Sequence, residues 1–338
     1  MPLRWGIVTA ANICNDFVNA MNSYPHKGDQ VIAAIAARDP AKARDFAELH
    51  GIPKVCESYK ALAESKDIDV VYIGSLNPQH YELSKLFLEH GKHVLCEKPL
   101  CLNEKQTRSL VNLARSKKRF LMEAVWSRFA PSYLSLEKEI SAGKLGDVQY
   151  VEVNFGVPIA SIDRISKKDL GGGAVLDIGI YVLQFAQYIF KDEPIKVTSS
   201  GELNSEGVDE VVNIILEYSG GRRASLTAHG RLRLRNQATV YGTRGRATLA
   251  DPFHFSQELT HADGTVEQFQ LHSSKLPYNF DNSAGLVYEA MEVQRCIKEG
   301  LLESPRMPHS ESILLAKLED TVRKQIGVHF DEDDQEFP

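Results

Sequence analysis

The first 125 residues alternate short apolar runs with amphipathic helical stretches, and this alternation limits the possible folds more than any other feature of the chain. The apolar runs of strand length are residues 5–8, 31–36, 70–74, 93–96 and 120–122. Helical spacing of apolar residues separates them, most clearly at 40–50, 80–90 and 103–117. Strands that alternate with helices form βαβ units with right-handed crossovers, and therefore a parallel sheet. We predict an α/β domain over residues 1–125 with a doubly wound parallel sheet of the dinucleotide-binding (Rossmann) type.

After about residue 126 the pattern changes to longer alternating segments, which follow a helical stretch at 131–142. The alternating segments are 149–155, 208–218, 222–232 and 238–241, and glycine-rich turns separate several of them. Alternation with tight turns is typical of antiparallel strands that bury one face. A chain of 338 residues also exceeds the usual size of one hydrophobic core. We predict a second, α+β domain over residues 126–338 with a largely antiparallel open sheet, which binds substrate.

The last helix is predicted over about residues 311–326, and it is a candidate to pack across both domains. Pro305 and Pro308 come just before it, and Ser310 is the expected N-terminal cap. The acidic residues 331–334 that follow are expected to fray and to have no assigned role.

Composition and charge exclude several classes of partner. The formal net charge of −6 gives no electrostatic reason to expect nucleic acid or an anionic membrane surface. The five cysteines are scattered and include no CxxC pair, so we expect neither a disulfide framework nor a metal site. We find no signal-peptide segment and no apolar run that approaches membrane-spanning length. We therefore expect a cytoplasmic protein with reduced thiols.

The turn after the first strand is a candidate phosphate-binding loop. A dinucleotide fingerprint has glycines where the backbone approaches the pyrophosphate at a helix N-terminus. Here Thr9 and Ala11 stand at the two expected glycine positions, and Asn12 and Ile13 follow them. Small residues with free backbone amides can still receive phosphate, but a plain strand–helix turn is the alternative.

The end of the second strand bears on the choice of cofactor. An NAD enzyme usually has an acidic residue there, which binds the ribose hydroxyls of the adenosine. This chain has Arg38 instead, with Lys42 four residues later. A guanidinium can pair with a 2′-phosphate and stack on adenine, which favours NADP. The alternative is a solvated arginine that pairs with Asp39.

Two further segments lie at the carboxyl ends of predicted parallel strands, where doubly wound sheets bind their ligands. One contains His80, and the other is Glu97-Lys98-Pro99. A lysine at a buried strand end is costly unless it has a partner or a function. The alternative is a local salt bridge between Glu97 and Lys98, and the sequence leaves the isomer of the Lys98–Pro99 peptide open.

The most informative cluster lies in the second domain, where three glycines at 171–173 precede a segment with Asp177 and Tyr181. The glycines allow a close backbone approach to a ligand, and Asp177 and Tyr181 stand one helical turn apart on one face. A tyrosine beside Lys98 is a sensible proton-transfer pair, because a nearby ammonium lowers the pKa of the phenol. The alternatives are a core tyrosine and a helix-capping aspartate.

Glu97-Lys98-Pro99 and the segment GGGAVLDIGIY together resemble the Gfo/Idh/MocA oxidoreductases, over essentially the whole chain. Residues 3–8, 78–80, 121–124 and 279–282 further resemble the dimeric dihydrodiol dehydrogenases of that family. The resemblance implies oxidation of trans-dihydrobenzenediols and of D-xylose or related aldopyranoses with NADP as the cofactor.

The resemblance also implies a role for individual residues. Tyr181 takes the acid/base position, Lys98 contacts the nicotinamide ribose and tunes that group, and Asp177 belongs to the same motif. Arg38 selects the 2′-phosphate, and Tyr72 and His80 match positions that line the cofactor and substrate cleft. Gln184 stands where many sugar-alcohol dehydrogenases of the family have a second aspartate, and this difference argues against an inositol-type polyol site.

We therefore predict an NADP-dependent dehydrogenase of a hydroxyl on a small cyclic diol or pyranose, with no metal. Trp126, Phe155 and Phe280 are candidate apolar walls for the substrate, although each could equally be a core residue. Two rivals stay open: a non-catalytic NADP-binding sensor or repressor on the same fold, and a reductase of another carbonyl substrate.

A homodimer is the expected assembly. The resembled dehydrogenases pair through the second-domain sheet, and an open apolar sheet face needs cover. We expect that face to carry Leu226, Ala228 and Leu232.

Overall fold

A computed structural model describes residues 2–338. The first sheet has five parallel strands in the order β2-β1-β3-β4-β5. Its strands are β1 (Leu3–Val8), β2 (Gln30–Ala36), β3 (Val70–Ile73), β4 (His93–Glu97) and β5 (Leu121–Ala124). The predicted doubly wound sheet is confirmed. The strand order reverses between β1 and β3, and this is the position where sheets of this kind bind ligands.

Helices cover both faces of this sheet, so the strands are buried on both sides. They are α1 (Asn12–Ser23), α2 (Pro40–His50), α3 (Tyr59–Glu64), α4 (His80–Glu89) and α5 (Glu104–Lys117). The bounds of α2 follow from its local sequence. Asp39 caps its first turn, Pro40 occupies the first helical position, and Gly51 ends it in the left-handed conformation with φ 66°.

The second sheet has eight strands, in the order β13-β12-β11-β10-β6-β9-β8-β7. They are β6 (Val148–Gly156), β7 (Lys196–Leu203), β8 (Asp209–Glu217), β9 (Arg223–His229), β10 (Ala238–Gly242), β11 (Gly245–Leu249), β12 (Glu258–Thr260) and β13 (Val266–Gln268). Only the β6–β9 pair is parallel, so the prediction of a largely antiparallel sheet is confirmed.

The remaining helices pack against this sheet or join it to the first domain. They are α6 (Pro131–Ser141), α7 (Asp163–Ser166), a π-helical turn (Val175–Gly179), α8 (Ile180–Phe190), α9 (Leu286–Lys298) and α10 (His309–Ile326). Several elements were not predicted from the sequence, namely α3, α7, α9, β7 and β11 to β13.

The open face of the second sheet is polar, which corrects the expectation for β9. Leu226 and Ala228 are buried on the helix-covered face, and Leu232 lies beyond the end of the strand. The opposite face carries Ser225 and Thr227. Their partners on β6 and β8 are Glu152, Asn154, Asn213 and Ile215, of which only Ile215 is apolar. The homodimer stays a prediction. It gains no support from an apolar open face, because this face is polar.

One stretch, residues 168–190, is long and apolar enough to cross a membrane by length and composition. This corrects the expectation that no run approaches that length. About 94% of its most apolar window is buried inside the protein, because α8 packs between the second sheet and the rest of the core.

The last helix differs from its prediction at both ends. It begins at His309 after Pro308, so Ser310 lies inside the helix and does not cap it. The tail is not frayed, because residues 331–334 form a short 3-10 turn that Arg323 holds in place. Helix α10 contacts α5 and β5 of the first sheet as well as β7 and α8.

Arg323 is the central polar residue of this junction. Its side chain is only 2% exposed, and its guanidinium pairs with Asp320 at 2.6 Å and Asp333 at 3.0 Å. It also donates to the carbonyl oxygen of Leu102 at 3.1 Å and lies over the ring of Phe330. One cation thus joins α10, the tail and the loop before α5.

Arg323→Met is expected to lower the free energy of unfolding by about 3 kcal/mol, because it leaves two partly buried carboxylates without their partner. Urea denaturation measures this difference. Lys105→Met is the matched control, since Lys105 pairs with the exposed Glu336 of the same tail and should change stability by less than about 1 kcal/mol. Equal effects of the two substitutions would contradict a structural role for Arg323.

Candidate active site

A cavity of about 510 Å³ opens between the two sheets, at the carboxyl ends of β1, β3 and β4. Turns after these strands line one side, with Thr9, Gly74 and Lys98. Residues around α8 and the second sheet line the other, including Asp177 and Tyr181. Three segments that are far apart in the chain therefore meet at the position where the strand order reverses.

Lys98 and Asp177 form an ion pair across this cavity. The ammonium nitrogen Nζ of Lys98 lies 2.6 Å from the carbonyl oxygen of Asp177 and 3.3 Å from its Oδ1. Both side chains are largely buried, at 13% and 12% exposed. Arg164, which the sequence analysis missed, also donates to Oδ1 at 2.7 Å. Lys98 therefore pairs with Asp177 and not with the Glu97 side chain, and Asp177 does not cap a helix.

These two cations determine the charge of Asp177. Burial acts to raise the pKa of its carboxyl, but the positive charges of Lys98 and Arg164 outweigh burial and lower this pKa to about 2. Asp177 is therefore an anion at every physiological pH, and it fixes the positions of both cations.

Tyr181 lies one turn after Asp177, beside the same ammonium. Its hydroxyl oxygen accepts a hydrogen bond of 2.8 Å from the indole nitrogen of Trp126. Lys98 Nζ lies over the phenol ring, 5.1 Å from its centroid. Within residues 2–338 the Tyr181 O–H group has no hydrogen-bond acceptor, so its proton is available to a ligand in the cavity.

The pKa of Tyr181 corrects the expectation that Lys98 lowers it. Burial raises the pKa of the phenol well above its usual value, and the negative charges of Glu97 and Asp177 raise it further. The hydrogen bond from Trp126 opposes this shift without cancelling it. Because Lys98 is engaged with Asp177, it approaches the face of the ring and not the hydroxyl oxygen.

The three glycines before this helix serve contacts within the protein, which corrects the expectation that they approach a ligand. Gly171 has a φ of 67°, and a Cβ there would lie 2.9 Å from the side chains of Leu102 and Pro78. Gly173 has a φ of 119°, which side chains rarely allow, and it packs against Asp209. Asp209 in turn accepts a hydrogen bond from the backbone of Val175 at 2.7 Å.

The predicted phosphate loop lies along the cavity, with Thr9, Ala11, Asn12 and Ile13 in its wall. No side chain caps the N-terminus of α1, so its first amides are free to bind an anion. Thr9 has a φ of 79°, the region that favours glycine, and it therefore holds the fingerprint backbone at some conformational cost. The loop fits a dinucleotide phosphate despite its lack of glycines.

Arg38 and Lys42 differ in where they lie. Arg38 is exposed and lines the cavity, and it has no ion pair within the described part of the chain. Asp39 is not its partner, because its carboxylate accepts from the backbone amides of Ala41 and Lys42. The Lys42 side chain is not part of the cavity wall.

Three other expected cofactor residues are held by the protein itself. Tyr72 is fully buried, stacks on Phe17 and donates to Glu97 Oε1 at 2.5 Å, so it does not line the cavity. Glu97 does reach the cavity wall. His80 also lines it, but its ring nitrogens lie 2.7 and 3.1 Å from the carbonyl oxygens of Pro99 and Ser75. Neither nitrogen of His80 is free to accept a proton from substrate.

The three candidate walls, Trp126, Phe155 and Phe280, all line the cavity. Trp126 is also a hydrogen-bond donor and stacks on Phe255 at 4.5 Å. The buried carboxylate of Asp16 in α1 accepts from the backbone amides of residues 279 and 280, which holds the exposed Phe280 at the cavity mouth.

Two family models match the chain, one over the first sheet and one over strands β6 to β10 and most of β11 in the second sheet. Residues 3–125 match the model described as "Oxidoreductase family, NAD-binding Rossmann fold", and residues 133–248 match the GFO/IDH/MocA C-terminal domain. The chain belongs to the Gfo/Idh/MocA oxidoreductase family. The resemblance found in the sequence is thereby confirmed.

Curated relatives match this Gfo/Idh/MocA chain over nearly its full length. The trans-1,2-dihydrobenzene-1,2-diol dehydrogenase of Xenopus laevis is 42% identical over 331 residues, which cover 98% of this chain and 100% of that protein. The human protein of that name is 41% identical over 334 residues, with 98% and 99% covered. The protein is a dehydrogenase that acts on CH–OH groups and has an NAD(P)-binding Rossmann domain.

Solved structures share the fold. A 3-ketoreductase from Actinomadura kijaniata, in complex with NADP and TDP-benzene, has a TM-score of 0.80 and 27% identity, with 96% of this chain and 98% of that chain covered. A levoglucosan dehydrogenase in complex with NADH and levoglucosan has the same TM-score at 20% identity, with 96% and 97% covered. At that identity the second comparison supports the fold alone.

Several lining residues were not predicted from the sequence, and the most important of them are Arg164 and His254. Both follow segments with no motif, and only tertiary packing brings them to Tyr181 and Asp177.

Within residues 2–338, no group of three or more His, Cys, Asp or Glu side chains could hold a metal ion. All five cysteines are buried and unpaired.

Asp177→Asn keeps the size of the side chain but removes the charge that faces Lys98 and Arg164. We expect it to lower the free energy of unfolding by about 2 kcal/mol at pH 7. The pKa of Asp177 is lowered from 3.8 to about 2, so the stabilisation is complete above pH 4 and is lost as the pH falls toward 2. Urea denaturation should show the same difference from the wild type at pH 7 and pH 5, and a smaller difference at pH 3.

Asp192→Asn is the control, because Asp192 is exposed and pairs with Arg222 on the surface. It should change stability little at any of these pH values. A difference between Asp177→Asn and the wild type that is independent of pH would show that the charge of Asp177 is not what stabilises the site.

Proposed function

We propose that this protein is an NADP-dependent dehydrogenase that oxidises a hydroxyl of a cyclic diol such as trans-1,2-dihydrobenzene-1,2-diol, or of an aldopyranose such as D-xylose. The observation that carries this proposal is the convergence of Lys98, Asp177 and Tyr181 beside an aromatic-walled cavity of about 510 Å³. The curated relatives that match the whole chain carry the first of these substrates in their name.

Tyr181 is the acid/base group in this proposal. Its oxygen already accepts the indole N–H of Trp126, which favours the phenolate, and its own proton has no acceptor in the described chain. In oxidation the phenolate takes the proton of the substrate hydroxyl, and in reduction the phenol returns it to the carbonyl oxygen. The dinucleotide, when bound, supplies the hydride acceptor or donor.

Lys98 binds Asp177 and has one donor hydrogen left for a ligand. An ammonium group has three donor hydrogens, and two of the Lys98 contacts are to Asp177. The third hydrogen is available to the nicotinamide ribose or to substrate. Asp177, which Arg164 also holds, keeps Lys98 in this position.

The NADP preference rests on Arg38. This guanidinium is exposed at the cavity, without an ion pair in the described chain, and it stands where NAD enzymes usually have an acidic residue. The uncapped N-terminus of α1 supports binding of the pyrophosphate at the same edge of the sheet.

A carbonyl reductase is the second candidate. The raised pKa of Tyr181 favours the protonated phenol, which is the form that donates to a carbonyl oxygen.

A non-catalytic sensor has less support, since such a protein would not need an acid/base group beside Lys98. Spectrophotometric assays with aldoses, dihydrodiols and dicarbonyls, each with NADP(H) and NAD(H), separate these possibilities. Cofactor binding with no turnover in the whole panel would favour the sensor.

Tyr181→Phe is expected to retain NADP affinity and to lose kcat by about 100-fold or more, because only the proton-transfer group is removed. Fluorescence titration with NADPH measures the affinity, and steady-state assays measure kcat. Tyr188→Phe is the control, since Tyr188 is a buried tyrosine of the same helix that bonds to Tyr133 and Glu137 instead. Near-normal turnover in Tyr181→Phe would exclude the mechanism.

The pH dependence should have opposite signs in the two directions. Oxidation needs the phenolate, so kcat/KM should rise with pH, and the raised pKa of Tyr181 shifts that rise to alkaline pH. Reduction needs the phenol and should stay constant through neutral pH before it falls. A rise for oxidation that is complete below pH 7 would assign the proton transfer to another group.

Arg38→Asp is expected to weaken NADP binding by about 10- to 100-fold, the effect of one or more charge-assisted hydrogen bonds, and to change NAD binding little. Titration with each cofactor measures this difference. Arg44→Asp makes the same charge change on α2 but lies outside the cavity wall, so it controls for net charge. Equal losses for both cofactors in Arg38→Asp would refute recognition of the 2′-phosphate.

A further inference from the structure

His254 is a polar residue of the cavity wall that the proposed mechanism does not use. It lies in the short turn Phe253–Phe255 between β11 and β12, on the substrate side of the cavity. Its neighbours in the chain, Phe253 and Phe255, are fully buried, which fixes the turn. The imidazole therefore has a defined position.

Three aromatic rings of the site surround this imidazole. It stacks on Phe155 with 4.8 Å between ring centroids and an interplanar angle of 17°. The ring of Tyr181 lies 5.2 Å away at 53°, and that of Trp126 lies 5.8 Å away at 61°. His254 is thus a direct neighbour of the proposed acid/base group.

The two nitrogens of His254 lack protein partners. Nδ1 is enclosed and has no hydrogen bond, and we find none for Nε2 among residues 2–338. Burial, together with the positive charges of Lys98 and Arg233, lowers the pKa of His254 to about 3, so the ring is neutral. A neutral imidazole has one N–H donor and one acceptor. With Nδ1 enclosed, Nε2 is the nitrogen that the half-buried ring presents to the cavity.

The other polar groups next to Tyr181 are engaged within the protein, apart from one remaining donor hydrogen on the charged Lys98 ammonium. Asp177 pairs with both Lys98 and Arg164, and the Trp126 N–H is donated to Tyr181. A polar atom in a mostly apolar wall is costly unless a ligand satisfies it. His254 is therefore the neutral hydrogen-bonding group beside Tyr181 that is left for substrate.

We propose that His254 binds, through Nε2, the hydroxyl group next to the one that is oxidised. Hydroxyls on neighbouring ring carbons lie close together, so a substrate with one oxygen at Tyr181 presents the other toward a ring packed beside that tyrosine. Phe155, under the imidazole, covers the apolar part of the substrate. This inference rests on the proposed function, and it makes His254 the residue that selects a vicinal diol over a simple alcohol.

His254→Phe tests the inference, because it keeps a flat ring on Phe155 and removes both nitrogens. In the wild-type holoenzyme, kcat/KM should be higher for trans-cyclohexane-1,2-diol than for cyclohexanol, and His254→Phe should reduce this preference by about tenfold. NADPH affinity should not change. His254→Gln, which restores a donor and an acceptor, should recover part of the preference. An unchanged preference in His254→Phe overturns the proposal.

A second measurement does not depend on turnover or on the stability of a variant. In the wild-type protein with NADPH bound, the ¹⁵N resonances of the His254 imidazole should shift when trans-cyclohexane-1,2-diol or D-xylose is added, and less so with cyclohexanol. No shift with any diol overturns the role of His254, even if the enzyme oxidises diols. Absence of turnover with every aldose and diol, together with a shift, would instead contradict the proposed function.

Discussion

The ion pair between Lys98 and Asp177 is the contact on which the rest of the site depends. It joins the end of a strand in the parallel sheet to the π-helical turn that leads into α8, and both side chains are mostly withdrawn from water. Removing two charges from water costs about as much as their attraction returns, so forming such a pair adds little stability, although removing only one partner is costly. The pair acts on the geometry of the site. It holds Lys98 at the face of the Tyr181 ring, and it links the two sides of the cavity to each other. Arg164 adds a second cation, which keeps Asp177 ionised.

The charges around Tyr181 also favour one protonation state. Glu97 and Asp177 both disfavour the phenolate, and burial acts in the same direction. The indole of Trp126 is the group that stabilises the anion directly, and Lys98 contributes only across the face of the ring. The protein by itself therefore prepares a proton donor more than a proton acceptor. Additional positive charge near the phenol, such as that of a dinucleotide in its oxidised form, would favour the phenolate that oxidation of an alcohol needs.

The fold could be predicted where strong local patterns coincide with burial. The parallel strands were predictable because they are apolar on both faces, and α2 because Asp39, Pro40 and Gly51 mark its ends. Strand β7 was missed because most of its residues are exposed at the edge of its sheet, so no alternation appears in the sequence. The motif residues Lys98, Asp177 and Tyr181 were found by spacing and resemblance. Tyr72, the glycines at 171–173, Arg164 and His254 depend on side-chain directions and packing between distant segments, which local sequence does not encode.

The residues proposed to transfer the proton and those proposed to contact substrate lie on different kinds of element. Lys98 follows a buried strand, and Tyr181 lies on a fully buried helix, so their positions are set by the core. Phe280 and His254 lie in turns; hydrogen bonds from residues 279 and 280 to Asp16 hold the first turn, and the buried Phe253 and Phe255 hold the second. Substitutions in these turns can change the shape and polarity of the cavity without disturbing the Lys98–Asp177 pair. The fold can therefore keep the arrangement of Lys98, Asp177 and Tyr181 while changes in these turns alter which hydroxyl compounds fit the cavity.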